Sequence, residues 1–116
     1  MSLKDGMRLN EYQVLAGRTM NPMLTPEETE LHALSGLAAE VGEIHSLYQK
    51  VYQGHELDYI ALSKEIGDTL WMIAELCTAL GLRLEDVATQ NIDKLRRRYP
   101  NGFDPERSKH RASFDI

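Results

Sequence analysis

The chain has 116 residues, a net charge of −5 and a mean hydropathy of −0.40, and residues 1–116 are expected to form one domain of 13.2 kDa. Its 18 acidic residues outnumber 13 basic ones, which argues against a duplex nucleic-acid binder held by a broad basic face. A single cysteine, Cys77, excludes an internal disulfide and a thiolate metal cluster, and the absence of a signal peptide or an apolar run of spanning length leads us to expect a cytoplasmic protein with no membrane partner.

A first helix is expected from Asp5 to Arg18, with Leu9, Tyr12 and Ala16 at helical spacing. The second has a clear start: Thr25 as N-cap, Pro26 at the first helical position and Glu28 at N3 make a capping box. Leu31, Leu34, Ala38, Val41, Ile44, Tyr48 and Val51 then recur at spacings of three and four, and Gly54 ends the run. Asp58 caps a third helix carrying Ile60, Leu62, Ile66, Leu70, Ile73, Leu76 and Leu80, closed by Gly81. Cys77, among Leu76, Ala79 and Leu80, reads as core. A fourth helix spans Leu84 to Tyr99, with Glu85 and Asp86 in its first turn and Arg96, Arg97 and Arg98 in its last. Pro100-Asn-Gly102 stops it, and Phe103 to Ile116 is polar and poorly patterned, either an arm over a partner subunit or a loose tail. The fold class is therefore all-α, a four-helix-type bundle small enough to be completed by oligomerisation.

Two carboxylate pairs break the apolar pattern. Glu40 and Glu43 lie on the second helix, Glu65 and Asp68 on the third, each pair at i,i+3 and so on one face. Glu40 falls near the angle of Ile44, and Glu65 lies between Leu62, Met72 and Leu76. Four facing carboxylates repel unless something positive lies between them. Oxygen ligands of this kind suit a hard divalent cation, Mg²⁺ with Mn²⁺ as substitute. Zinc is disfavoured without thiolates or a histidine pair, and a ferritin-like di-iron site wants Glu-x-x-His where Glu43 and Asp68 stand. His32, His45, His55 and His110 show no ligand spacing. Gly42 and Gly67 beside the pairs permit either close helix contact or close approach of a ligand.

A bound Mg²⁺ draws phosphate chemistry to an acidic protein. Lys94 is placed to contact a phosphate, and Asn91 to ligate the metal or orient the ligand. Arg98 and Lys50 either reach phosphate or complement helix C-termini. Trp71, like Tyr48 and Tyr52, either stacks on a base or packs in the core or at a subunit interface.

In this order the elements resemble the all-alpha nucleoside triphosphate pyrophosphohydrolases of the MazG-like superfamily. The family's Glu-x-x-Glu, spacer, Glu-x-x-Asp pattern reads here as Glu40-Val-Gly-Glu43, 21 intervening residues and Glu65-Ile-Gly-Asp68. Asn91-Ile-Asp-Lys94 and Leu95-Arg-Arg-Arg-Tyr-Pro-Asn-Gly-Phe103 follow, so the resemblance covers Leu31 to Phe103. It implies a helical bundle in homodimers or homotetramers that cleaves a nucleoside triphosphate to monophosphate and pyrophosphate. Glu40, Glu43, Glu65 and Asp68 would hold Mg²⁺, one of them, with Glu43 preferred, would handle the attacking water, and Asn91 and Lys94 would serve the substrate. Two other readings stand beside it: a helical interaction module whose acidic pairs form salt bridges with arginine or lysine, and a diphosphatase for another phosphorylated metabolite.

Overall fold

The computed structural model describes residues 6–110, and every regular element within them is a helix. They are α1 (Leu9–Gly17), α2 (Pro26–Tyr52), α3 (Tyr59–Ala79), α4 (Leu84–Arg98) and α5 (Pro105–Lys109). The all-α expectation holds. No helix among the described residues is long and apolar enough to cross a membrane. Asp5, expected to begin the first helix, and residues 111–116 of the tail lie outside the described residues.

Local signals set the ends of the long helices. The Thr25 side chain accepts from the Glu28 N–H at 3.1 Å, and Glu28 accepts from the Thr25 N–H at 3.0 Å, completing the capping box. This bonding holds the Glu28 carboxyl below its usual range. Asp58 accepts from the Ala61 N–H at 3.0 Å and starts α3. Gly54 and Gly81 follow the two helix ends at φ +95° and +71°, where a side chain would be strained. The fourth helix starts differently. Its N-cap, Arg83, offers no side-chain acceptor, and Gln13 of α1 supplies one instead. Gln13 Oε1 accepts from the Leu84 N–H at 2.7 Å while Nε2 donates to the Leu82 carbonyl at 2.9 Å and to Thr78 Oγ1 at 3.1 Å. One amide therefore ties α1 to the α3–α4 turn.

α2 and α3, joined by a short link, form an antiparallel pair that is the main packing unit. Opposite residues meet down its length: Glu40 with Glu65, Gly36 with Met72, and His32 with Glu75. Gly36 lies directly under the Met72 thioether, which occupies the space a Cβ would need. At Gly42 and Gly67 nothing lies within 4 Å of that position, so the close helix contact falls at Gly36 and at neither of the glycines flanking the carboxylates. α1 lies across α3, where Ala16, Ala74, Cys77 and Leu84 form the buried cluster with Leu9, Tyr12, Leu70, Trp71 and Ile73 around it. Cys77 is core, as its neighbours suggest, and burial pushes its thiol up.

The second helix departs from its expected packing. The stripe Leu31, Leu34, Ala38, Val41, Tyr48 and Val51 is exposed, and of the recurring apolar residues only Ile44 is half-buried. Small residues lie on the side toward α3: Gly36 lies under Met72, next to Glu40, which meets Glu65, and Ala33 is fully buried. On α4, Ile92 and Leu95 are exposed as well, and only Leu84 is buried. The described part of the tail, up to residue 110, is ordered rather than loose. Asp104 accepts from the Glu106 N–H at 2.9 Å, Pro105 occupies the first turn, and a short helix forms. Arg107 then donates to the carbonyls of Arg98 and Arg97, folding α5 onto the end of α4.

Candidate metal centre

The antiparallel pairing carries Glu40 of α2 toward Glu65 and Asp68 of α3. One carboxylate oxygen from each lies within 4.8 Å of the others. Glu40 and Glu65 are half-buried and Asp68 is exposed, so the cluster opens to solvent on one side. Thr69, one turn after Glu65, turns its hydroxyl back to the Glu65 carbonyl at 2.8 Å and stays out of the cluster.

Electrostatics mark Glu40 as the strained member. Its carboxyl is pushed up to about 7, first by a hydrogen bond shared with Glu65, then by burial and by the charges of Glu65, Asp68 and Glu43. Every influence has the same sign, and no basic side chain of the described residues is among them. The salt-bridge reading requires such a partner. In addition, Glu40 Oε2 is buried with no hydrogen-bond partner among the described residues. A buried oxygen left this way costs free energy unless a cation or proton meets it. Three carboxylates with one orphaned oxygen form a hard-donor set that fits Mg²⁺ or Mn²⁺. No sulfur or imidazole of the described residues joins the group.

The remaining sequence-selected residues are placed differently. Glu43 is exposed one turn beyond Glu40, outside the tight group, and its charge is felt at Glu40. Asn91 is exposed and Lys94 half-buried on α4, a helix that packs chiefly on α1. Lys50 is exposed near the end of α2, ten residues and roughly 15 Å along the axis from Glu40. Arg98 closes α4 with its guanidinium 6.0 Å from the centre of the Tyr99 ring. Trp71 is committed to the α1–α3 joint: Nε1 donates to Thr19 Oγ1 at 3.0 Å and to the Ala16 carbonyl at 3.2 Å. Of its two readings, the packing one describes its surroundings.

Two features escaped the sequence reading. Tyr12 of α1 is close enough to Asp68 for that charge, after burial, to push its phenol up. Its helical spacing gave only a packing signal. Glu75 is the other: a carboxylate 1% exposed, paired with His32. Its position between Ala74 and Leu76 is the same kind of signal that singles out Glu65.

The family model of the MazG nucleotide pyrophosphohydrolase domain matches residues 27–103. That range takes in the α2–α3 pair and α4 and leaves out α1 and α5. The chain is similar to the Gene 37 protein of Mycobacterium phage L5, 28% identical over 105 residues that cover 83% of this chain and 92% of that one. No solved structure matches.

Proposed function

The chain belongs to the MazG nucleotide pyrophosphohydrolase domain family, and from that premise we propose that it hydrolyses a nucleoside or deoxynucleoside triphosphate to the monophosphate and pyrophosphate with Mg²⁺. The observation that carries the reading is the buried oxygen of Glu40, without a hydrogen-bond partner among the described residues, inside a group of three carboxylates on which no basic side chain of the described residues acts. Ion-paired structural acids would have had such a partner.

Glu40, Glu65 and Asp68 would hold the cation. When bound, Mg²⁺ neutralises phosphate oxygens and makes a water a better nucleophile. The protein's share is then geometry and proton handling. Glu43, exposed at the rim one turn beyond Glu40, is free to take the proton of a water attacking the α-phosphorus, with pyrophosphate leaving on the opposite side. Lys94 and Asn91 are assigned to the substrate, the ammonium to phosphate oxygens and the amide to orientation. Tyr12, kept protonated beside Asp68, offers a hydroxyl donor at the same edge. Mn²⁺ is the expected substitute ion, and the cytoplasm the expected place of action.

The test is hydrolysis of a panel of nucleoside triphosphates by purified protein, with pyrophosphate and orthophosphate measured separately. Pyrophosphate release that requires Mg²⁺ is expected. Glu40→Gln and Asp68→Asn should each lower it by about a hundredfold or more, since each removes a charged donor from the cation. Full activity in both variants, with helical content unchanged, would sink the site. Orthophosphate as the first product would replace the reaction.

A further inference from the structure

Three contacts between α2 and α3 fall on one stripe of each helix. On α2 the stripe is His32, Gly36 and Glu40, at spacings of four, and on α3 it is Glu65, Met72 and Glu75. Glu40 meets Glu65, Gly36 meets Met72, and His32 meets Glu75. The two ends of this seam differ in character. At one, three carboxylates crowd within 4.8 Å and repel. At the other, His32 Nδ1 lies 2.7 Å from Oε1 of a carboxylate that is 1% exposed. We propose that the His32–Glu75 pair selects the face of α2 that meets α3, and so holds Glu40 opposite Glu65 and Asp68 before any cation arrives.

A selector is needed because α2 offers two faces. Leu31, Leu34, Val41 and Tyr48 form an exposed apolar arc, centred roughly 160° round the helix from the seam at about 100° per residue. Apolar contact has no direction, so on burial alone this larger arc should win α3 over a stripe of histidine, glycine and glutamate. Close approach at Gly36 favours the observed face, yet a glycine makes no contact that only one partner can answer. A buried carboxylate does. With the larger arc turned to α3, His32 would leave Glu75 and its charge would be sealed without a partner. Few single contacts cost more to break than a buried pair opened from one side. Polar residues set in apolar helix seams fix register in the same way.

The pair acts at a distance. His32 stands eight residues, roughly 12 Å, along α2 from Glu40. Glu75 stands seven residues, roughly 10 Å, along α3 from Asp68. Neither belongs to the group of Glu40, Glu65 and Asp68. They are positioning residues, and their effect passes along two stiff helices to Glu40. Without a cation, the charges at the Glu40 end push α2 and α3 apart. The seam then needs an attraction elsewhere along its length, and His32 with Glu75 supplies it.

The consequence for Mg²⁺ rests on the hydrolytic reading; the selection of the helix face does not. Nitroxides on Ser35→Cys of α2 and Lys64→Cys of α3, both exposed positions, report the rotation of α2 over α3 as a distance in the full chain. Cys77 is buried and stays unlabelled. With the pair intact, one narrow distance is expected. The double variant His32→Leu, Glu75→Leu removes the pair without stranding a charge, and in it a second distance should appear. Its affinity for Mg²⁺, by calorimetry without nucleotide, should fall about tenfold to a hundredfold, as when residues that hold ligands in place are lost. Glu75→Gln keeps an oxygen for His32 and should keep both the single distance and the affinity. Gln13→Ala uncaps α4 away from the seam; it should lower the unfolding midpoint and leave both readouts alone.

A single narrow distance in the double leucine variant overturns the proposal, since α2 then keeps its face without the pair. So does a second distance with Mg²⁺ affinity unchanged, which would separate the helix face from the cation site. An equal loss of affinity in Gln13→Ala would reduce the pair to ordinary stability and overturn its positioning role. A wild-type chain that takes up no Mg²⁺ defeats the hydrolytic reading instead, and the distances alone then decide whether the pair selects the face.

Discussion

His32 Nδ1 of α2 lies 2.7 Å from Oε1 of Glu75 on α3, and that carboxylate is 1% exposed. Its second oxygen is buried with no hydrogen-bond partner among the described residues. The imidazole, half in solvent, is therefore the group that makes a sealed carboxylate tolerable. Breaking such a pair from one side costs more than removing both members, because the survivor keeps its desolvation penalty. His32→Leu should destabilise the protein by about 3 kcal/mol. The double variant His32→Leu, Glu75→Leu should recover most of that loss. Urea denaturation of the single and double variants decides the matter; losses that simply add would show that the pair does not act as a unit.

Glu40 makes the stability of the cation-free protein depend on pH. Its carboxyl is raised from an ordinary 4.5 to about 7, by Glu65 first and by burial second. Between those values the folded protein keeps a proton that the unfolded chain releases. This contribution is complete below about 4.5 and is lost as pH rises through about 7. In a chelating buffer the midpoint of thermal unfolding should therefore fall from about pH 5 to about pH 8 by more than in Glu40→Gln. Added Mg²⁺ should flatten the wild-type profile at the alkaline end, since a cation replaces the proton. Identical profiles for wild type and Glu40→Gln would mean that the cluster is not coupled in solution.

Helix ends were legible because their causes are local. The Thr25–Glu28 box, the Asp58 cap and the glycines at 54 and 81 each act within a few residues, and all are present. The cap of α4 was not legible, since Gln13 supplies it from seventy-one residues away. The carboxylates Glu40, Glu65 and Asp68 were legible as charges set in apolar surroundings, and the antiparallel register brings them together. The side on which α2 packs was hidden for a different reason. Periodicity identifies an apolar arc but not what covers it, and α2 has two arcs. The smaller one, with Ala33 and Gly36, wins α3 because it lets the helices approach closely. The larger one is left facing out.

Trp71 separates packing from nucleotide binding. Its indole N–H is spent on Thr19 and the end of α1, so the residue joins α1 to the family-matched helices. Trp71→Phe keeps an aromatic ring, smaller than the indole, and removes both bonds. It should cost about 1–2 kcal/mol of stability and leave KM for the triphosphate unchanged. A raised KM with unchanged unfolding midpoint would return Trp71 to the substrate.

Gly36 and Gly67 make opposite predictions from the same substitution. Both interrupt helices, where alanine is favoured by about 0.5–1 kcal/mol on propensity alone. At Gly36 the new methyl group meets the Met72 thioether, so α2 and α3 must separate or Met72 must leave its rotamer. Overpacking of this kind costs about 1–3 kcal/mol, so Gly36→Ala should lower the unfolding midpoint despite the better propensity. At Gly67, between Glu65 and Asp68, the space beyond the backbone is open. Gly67→Ala should therefore raise the midpoint. If that open space exists for a phosphate group approaching the carboxylates, the same methyl group should raise KM several-fold. A Gly67→Ala variant that is both more stable and fully active would show that the nucleotide approaches from another side, past Asp68 or Tyr12.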